Sequence, residues 1–410
     1  MITRADLASL DARDPLSSKR DAFVMPEGVL YLDGNSLGPM PKNVPQRVQR
    51  LMQVEWAQDL ITSWNKHGWI DLPLRVGARI ARLIGTEPDR VFVGDSTSIN
   101  LFKMIGAAMP LRPGRKVVLS DSGNFPTDLY IARGFLDLAC PGARLEIVAP
   151  EDVAGAIGRE TALVMLTHVD YRTGRQHDMK AITATAHHHG ALMLWDLAHT
   201  AGAMEVDLAT ANADFAVGCS YKYLNGGPGA PAWLYVAPRH AGCTTPLTGW
   251  LGHERPFAFD LDYRPAQGIE RFTCGTPQLL SLAALDAALD VFDDVDMREV
   301  RRKSVALCDS FISLVEQECA GFGLILASPR MANHRGSQVS FRHAEGYAIM
   351  QALIDRGTIG DFRMPDIMRF GFCPLYLRHT DVWELVGQMK AVLVGKEWAQ
   401  DRYRARNKVT

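Results

Sequence analysis

Paired cysteines, long apolar runs and an excess of either charge are all missing from this 410-residue sequence. The seven cysteines, at 140, 219, 243, 274, 308, 319 and 373, are odd in number and form no CxxC pair. That pattern suggests neither a zinc framework nor a disulfide scaffold. No stretch approaches the roughly 18 uninterrupted apolar residues of a membrane-crossing helix, so no membrane partner is expected. A formal charge of −2 gives no reason to expect nucleic acid either. With 35 glycines and 22 prolines the chain is too poor in both to be collagen-like or of low complexity. The start, Met1-Ile2-Thr3-Arg4-Ala5-Asp6, mixes charges and lacks the apolar centre of a secretion signal, so a reducing cytoplasm is the expected location.

What is present is ordinary globular material, 47% hydrophobic and 22% charged, in a chain long enough for more than one core. An arm is expected over residues 1–45, with a short helix and an extended run at Val29-Leu30-Tyr31-Leu32 closed by the turn Asp33 to Pro39. A helical pattern follows from about 43 to 84, interrupted near Gly68 to Pro73. Short apolar runs then alternate with amphipathic segments: 91–93, 116–119, 144–148, 162–166, 191–195 and 215–217, with 233–236 as an edge or antiparallel strand. This is the βαβ pattern of a mostly parallel sheet. Apolar residues recur at helical spacing from 278 to 320, and the last 80 residues read as α+β. The expected architecture is α/β, with a large domain over 46–277 and a connecting helix plus small C-terminal α+β domain over 278–410.

In a parallel sheet, ligands bind beyond the carboxyl ends of the strands. After 91–93 come Ser96, Thr97 and Ser98, opening a helix whose free N–H groups attract an anion; an N-cap alone also explains them. After 116–119 comes Phe125-Pro126-Thr127-Asp128, an aromatic beside a turn with a carboxylate three residues on that could stack on a flat ligand and orient it, or simply a loop. After 191–195 come Asp196 and His199. Asp196 suits a metal, a catalytic dyad or a protonated ring nitrogen, and a structural cap equally; the neighbouring His187-His188-His189 reads as a solvated helix end. After 215–217 comes Tyr221-Lys222-Tyr223 with Gly226, Gly227 and Gly229 beyond it. A lysine crowded by aromatics becomes a nucleophile toward carbonyls when its charge is desolvated. Together, an anion-binding helix start, an aromatic shelf, a strand-end Asp and a strand-end Lys are what pyridoxal 5'-phosphate requires: phosphate donors, a stacking partner, a carboxylate for the pyridinium and an amine for the aldehyde. No metal site is expected.

At these residues the chain resembles the kynureninase family, fold-type I pyridoxal-phosphate enzymes, and its bacterial members in particular. The resemblance runs through Tyr31 to Gly38, Ser96 to Lys103, Phe125 to Asp128, His168 to Gly174, Asp196 to His199, Ser220 to Asn225, Gly249 to His253 and Gly275 to Pro277. It implies the fold-type I transferase fold and hydrolytic Cβ–Cγ cleavage of L-kynurenine to anthranilate and L-alanine, with 3-hydroxykynurenine a possible second substrate. It also implies a place in tryptophan catabolism or NAD biosynthesis and a homodimer with shared active sites. Lys222 is implied as the Schiff-base lysine and proton shuttle, and Thr97, Ser98 and Tyr221 as phosphate ligands, with Trp250 and Thr276 arriving from the other subunit. Tyr221 is also a candidate proton relay. Phe125 is implied as the stacking ring, Asp196 as the partner of the ring nitrogen, and Asp128, Thr167 and His199 as the rest of the cofactor shell. Arg369 corresponds to the α-carboxylate clamp, and Trp64, Gly275 and Thr276 to the aryl pocket. The rival chemistries are a cysteine desulfurase or selenocysteine lyase using Cys373, a catalytically idle relative, and a metal hydrolase built on Asp196.

Overall fold

The computed structural model describes residues 1–406. A short arm strand, β1 (Leu30–Tyr31), precedes the main sheet of β2 (Val91–Val93), β3 (Val117–Asp121), β4 (Arg144–Val148), β5 (Thr161–Thr167), β6 (Leu192–Asp196), β7 (Phe215–Gly218) and β8 (Trp233–Val236). The spatial order is β2-β8-β7-β6-β5-β3-β4. All neighbours among β3 to β7 are parallel, while β8 is antiparallel to both β7 and β2. The antiparallel strand anticipated at 233–236 therefore exists but lies one place in from the edge, with β2 outside it.

The central strands are apolar on both faces, because helices cover both. Alternation along β5 sends Val164 and Leu166 to one core and Leu163 and Met165 to the other. Met193 and Trp195 of β6 divide from Leu192 and Leu194 in the same way. One core is closed by the helices Thr97–Ala108 and Pro126–Ala139, through Leu101, Met104, Ile105, Phe135 and Leu136. The other is continuous with the C-terminal elements through the helices Leu279–Ala288 and Met297–Glu318. By contrast β4 closes the far edge and leaves Ile147 40% exposed.

Past residue 320 the chain forms β9 (Ile325–Leu326), β10 (Gln338–Arg342), β11 (Thr358–Ile359), β12 (Asp361–Arg363) and β13 (Ile367–Gly371). An antiparallel sheet has the order β12-β13-β10-β9, while β11 pairs in parallel with the arm strand β1. The arm is thus stitched to the C-terminal region rather than to the main sheet. It also touches the loop after β7: Gly38 N donates to Tyr221 O at 2.8 Å, and a Cβ on Gly38 would lie 2.2 Å from Lys222 O. Only glycine permits that approach. The helical stretch expected between 43 and 84 is broken more than anticipated, into Val44–Arg50, a π-turn at Leu51–Trp56, Ser63–Lys66 and Leu72–Leu83.

Candidate active site

A cleft of about 780 Å³ opens at the carboxyl ends of the parallel strands. Each loop there contributes in register. Thr167 and Asp196 end adjacent strands as direct neighbours. Lys222 follows β7, Phe125 and Asp128 follow β3, and Thr97 and Ser98 follow β2; all line the cleft with His199, Tyr221 and Arg369.

At one end, Ser96 is the helix N-cap, its Oγ accepting from Ile99 N at 3.3 Å. The capping role belongs to Ser96, so the Thr97 and Ser98 hydroxyls beside it face the cleft at a helix start, where N–H groups favour an anion. Phe125 stands at the start of the next helix, 42% exposed as a residue, its ring edge-on to Tyr171 with centroids 5.1 Å apart. Asn124 braces it from below, its amide donating to Ser120 Oγ at 3.0 Å while its oxygen accepts from Phe125 N.

Lys222 Nζ lies 3.0 Å from His199 Nε2. Burial, aided by the charge of Lys222, holds His199 well below the usual histidine range, so the ring is neutral. Asp196 accepts from Ala198 N at 2.8 Å. Burial raises Asp196 above the ordinary carboxylate range, with Lys222 opposing the shift. Asp128 is pushed well up, first by burial and then by the charge of Asp196 beside it. Two buried carboxyl groups thus face one lysine, and Asp128 Oδ2 makes no hydrogen bond among the described residues. Such an arrangement is short of one cationic N–H donor. A protonated ring nitrogen would supply it, so the residues fit a pyridinium-bearing group, and Phe125, Lys222, Thr97 and Ser98 line the same cleft. Tyr221 is held protonated by the neighbouring Cys219 and by burial, which keeps it a hydrogen-bond donor.

At the other wall, Arg369 is 1% exposed, donating to Tyr171 O at 2.8 Å and to Ser36 Oγ at 2.6 Å. Asp33 and Asp361 flank it. Burial raises Asp33 to about 6 although Arg369 pulls it down. Sequence reasoning assigned no site role to Ser36, Tyr171 or Arg363, which all line the cleft. Tyr171 and Ser36 lie in segments that carry the family resemblance, and that was the signal available for them. Arg363 gave none.

Four anticipated residues lie outside the cleft of their own chain. Trp64 packs edge-on to Trp69, centroids 6.0 Å apart, beside a groove that shares Gln278 with the cleft. Gly275 and Thr276 are exposed, and Trp250 is 39% exposed, stacked on Phe259. Gly249 packs so tightly on Cys274 that a Cβ would sit 1.7 Å from its carbonyl oxygen, so the Trp250 and Thr276 segments form one surface.

The histidine run is occupied elsewhere: His187 Nε2 lies 2.7 Å from Asp214, which also meets Arg239 and His240. Cys373 is fully buried, its thiol pushed up to about 12 by that burial. It does not line the cleft, which argues against a persulfide-forming role.

Comparison with known proteins gives the class and then the family. A cysteine desulfurase from Thermococcus onnurineus NA1 superposes with a TM-score of 0.77 at 19% identity, over 92% of this chain and 98% of that one. A C-DES variant with glycine covalently linked to its PLP cofactor superposes with a TM-score of 0.75 at 17% identity, over 95% and 99%. The fold is that of the fold-type I pyridoxal-phosphate enzymes. Residues 300–389 match the kynureninase C-terminal domain. Kynureninases of Pseudomonas fluorescens and Burkholderia mallei are 52% and 49% identical, each alignment covering all of both chains. The chain belongs to the kynureninase family.

Proposed function

We propose that this protein is a pyridoxal-phosphate-dependent hydrolase that cleaves the Cβ–Cγ bond of L-kynurenine, releasing anthranilate and L-alanine. The observation that carries the reading is the cluster of Lys222, His199, Asp196 and Asp128 in one cleft between a hydroxyl-bearing helix start and a buried arginine. Full-length kinship with kynureninases selects the substrate.

When bound, the cofactor supplies an aldehyde for amines and a ring that accepts the electrons left by bond cleavage. The residues do the rest. Asp196 and Asp128 would hold the ring nitrogen protonated, Phe125 would stack on the ring, and Thr167 and His199 would complete the shell. Thr97, Ser98 and Tyr221 hold the phosphate as donors. Lys222 would hold the cofactor's aldehyde, and its amine, 3.0 Å from His199, would be the group that carries the α-proton and supplies a proton to the product end. Neutral His199 at 3.0 Å accepts a hydrogen bond from that amine and orients it. Tyr221 is a second proton carrier, and Arg369 fixes the carboxylate end of the substrate.

The finer assignments belong to the same reading. Trp250 and Thr276 enter the partner's site in a homodimer, and Trp64, Gly275 and Thr276 flank the aryl group. The units are an arm at 1–45, a large domain at 46–277 and a small one at 278–410. Exposure of Trp250 and Thr276 on one shared surface supports the dimer. The enzyme acts in the cytoplasm, in tryptophan breakdown or NAD biosynthesis; among the described residues no helix is long and apolar enough to cross a membrane.

Fluorescence of anthranilate after addition of L-kynurenine tests the reading, with Lys222→Ala as the control. Release by the wild type alone supports it. A cofactor-loaded protein that releases none from kynurenine overturns the substrate, with 3-hydroxykynurenine and cysteine as the next compounds to try.

A further inference from the structure

The turn that carries Phe125 and the hairpin that carries Tyr171 follow different strands, and a buried pair outside the cleft lining joins them. Asp121 ends β3, four residues before Phe125. His177 follows the hairpin of Val169 to Gln176, whose two ends meet as an antiparallel bridge. His177 Nε2 lies 2.6 Å from Asp121 Oδ2, and both residues are buried. The other carboxylate oxygen of Asp121 accepts from Gly123 N at 2.7 Å, inside the Phe125 turn. Turn and hairpin also touch directly, since a Cβ on Gly123 would lie 2.8 Å from Asp170 Oδ2.

The hairpin is stiff, and its tip is fixed to the small sheet. Asp170 Oδ1 accepts from Arg172 N, Thr173 N and Thr173 Oγ1, which closes the tip on itself. From β10, Gln338 Nε2 donates to Asp170 O at 3.3 Å and to Tyr171 O at 3.2 Å, while Ser340 Oγ donates to Arg172 O at 2.6 Å. The hairpin thus bridges two sheets, and Asp121 with His177 is the side-chain link that ties its base to the Phe125 turn. That link lies behind the edge-on contact of Phe125 and Tyr171.

We propose that Asp121 and His177 are positioning residues for the cofactor: their hydrogen bond holds the Phe125 turn and the Tyr171 hairpin in register, so that Phe125 is set in place before pyridoxal phosphate arrives. Ordering completed during folding does not oppose binding, whereas loops that must be ordered by the ligand weaken it. Neither residue lines the cleft, so each acts through the loops and not by touching the cofactor. The inference rests on the pyridoxal-phosphate reading of the cleft, since Phe125 is the stacking ring of that reading.

The test compares wild type, His177→Leu and His177→Gln, with Lys303→Met as a control. Lys303 belongs to another buried pair, 2.6 Å from Asp14, and neither of those residues lines the cleft. Amide hydrogen exchange of the cofactor-free protein and equilibrium binding of pyridoxal phosphate are measured for each. In His177→Leu, exchange over residues 122–125 and 170–175 should speed up by on the order of tenfold, as for one lost charge-assisted hydrogen bond. Pyridoxal phosphate should bind roughly three- to tenfold more weakly, the cost of ordering one or two side chains on binding. His177→Gln keeps an N–H donor of similar reach and should recover most of both effects. Lys303→Met should lower the melting temperature yet change cofactor affinity by less than about twofold. Unchanged affinity in a folded His177→Leu protein overturns the proposal, as does equal weakening by Lys303→Met, which would reduce the pair to a support of overall stability. If the leucine variant does not fold, Asp121→Asn decides by the same measurements, since it keeps an acceptor for Gly123 N and weakens the link to His177. Wild type that binds no pyridoxal phosphate refutes the cofactor reading, while the exchange contrast still judges whether the pair sets the two loops.

Discussion

Replacing Lys103 by methionine examines what holds the anion-binding helix start in place. Lys103 is completely buried in the helix Thr97–Ala108. Its Nζ donates to Asp95 Oδ2 at 2.6 Å and to Phe272 O at 2.5 Å, and lies 5.4 Å from the Phe92 ring centroid. Methionine keeps most of the volume and removes the charge, leaving Asp95 and the Phe272 carbonyl without their donor. Breaking a buried ion pair costs about 3–5 kcal/mol. The Asp95 side chain is 26% exposed and regains water, which brings the expectation to about 2–3 kcal/mol. Asp95→Asn strands a fully buried ammonium instead and should cost about 3–5 kcal/mol. Urea unfolding of the cofactor-free protein measures both, and the double variant should be less destabilised than the sum of the singles. Asp95 directly precedes Ser96-Thr97-Ser98, and its backbone is left-handed with φ of 56°. Lys103→Met should therefore also weaken pyridoxal phosphate binding more than pyridoxal binding. A Lys103→Met protein within about 0.5 kcal/mol of wild type would refute the reasoning.

Three further outcomes are expected. His168 is buried, and burial lowers its pKa from 6.5 to about 3, so below the unfolded value the unfolded chain binds the extra proton. Stability should fall by on the order of 1.4 kcal/mol per pH unit from this group as pH drops from 6.5 toward 3, and His168→Gln should flatten that slope in urea titrations. Cys373→Ala should keep anthranilate release and melt slightly lower, and neither it nor wild type should release sulfide from cysteine; sulfide lost on mutation would reinstate a desulfurase. Mixing the inactive Lys222→Ala with an inactive Thr276 variant should restore about a quarter of wild-type activity if sites are shared across a dimer, since half the dimers are hybrid and each carries one intact site. No recovery after subunit exchange would place each site within one chain.

The central parallel strands were legible because they are apolar on both faces and followed by polar residues at their carboxyl ends, as in Leu163 to Thr167 and Leu192 to Asp196. The cofactor-side residues came with them, since Thr97, Phe125, Asp196 and Lys222 all sit at strand ends. The substrate side was not legible in this way. Ser36 reaches Arg369 across 333 residues of sequence, and no local pattern announces such a contact. Arg363 and Asp361 lie on a three-residue strand with two charges, which has no apolar alternation to mark it as a strand. Lys103 read as one more residue of a helix start because lysine is normally solvated, and only the tertiary position of Asp95 and Phe272 buries it. The π-turn at Leu51–Trp56 escaped notice because its composition is that of an ordinary helix.

The account turns on Lys222 as the residue that bonds the cofactor. Borohydride reduction of the cofactor-loaded protein, followed by mass mapping of its peptides, examines that directly. The account predicts one modified lysine, Lys222, and loss of the label in Lys222→Arg. Modification at another lysine, or none in a protein that releases anthranilate, would contradict it.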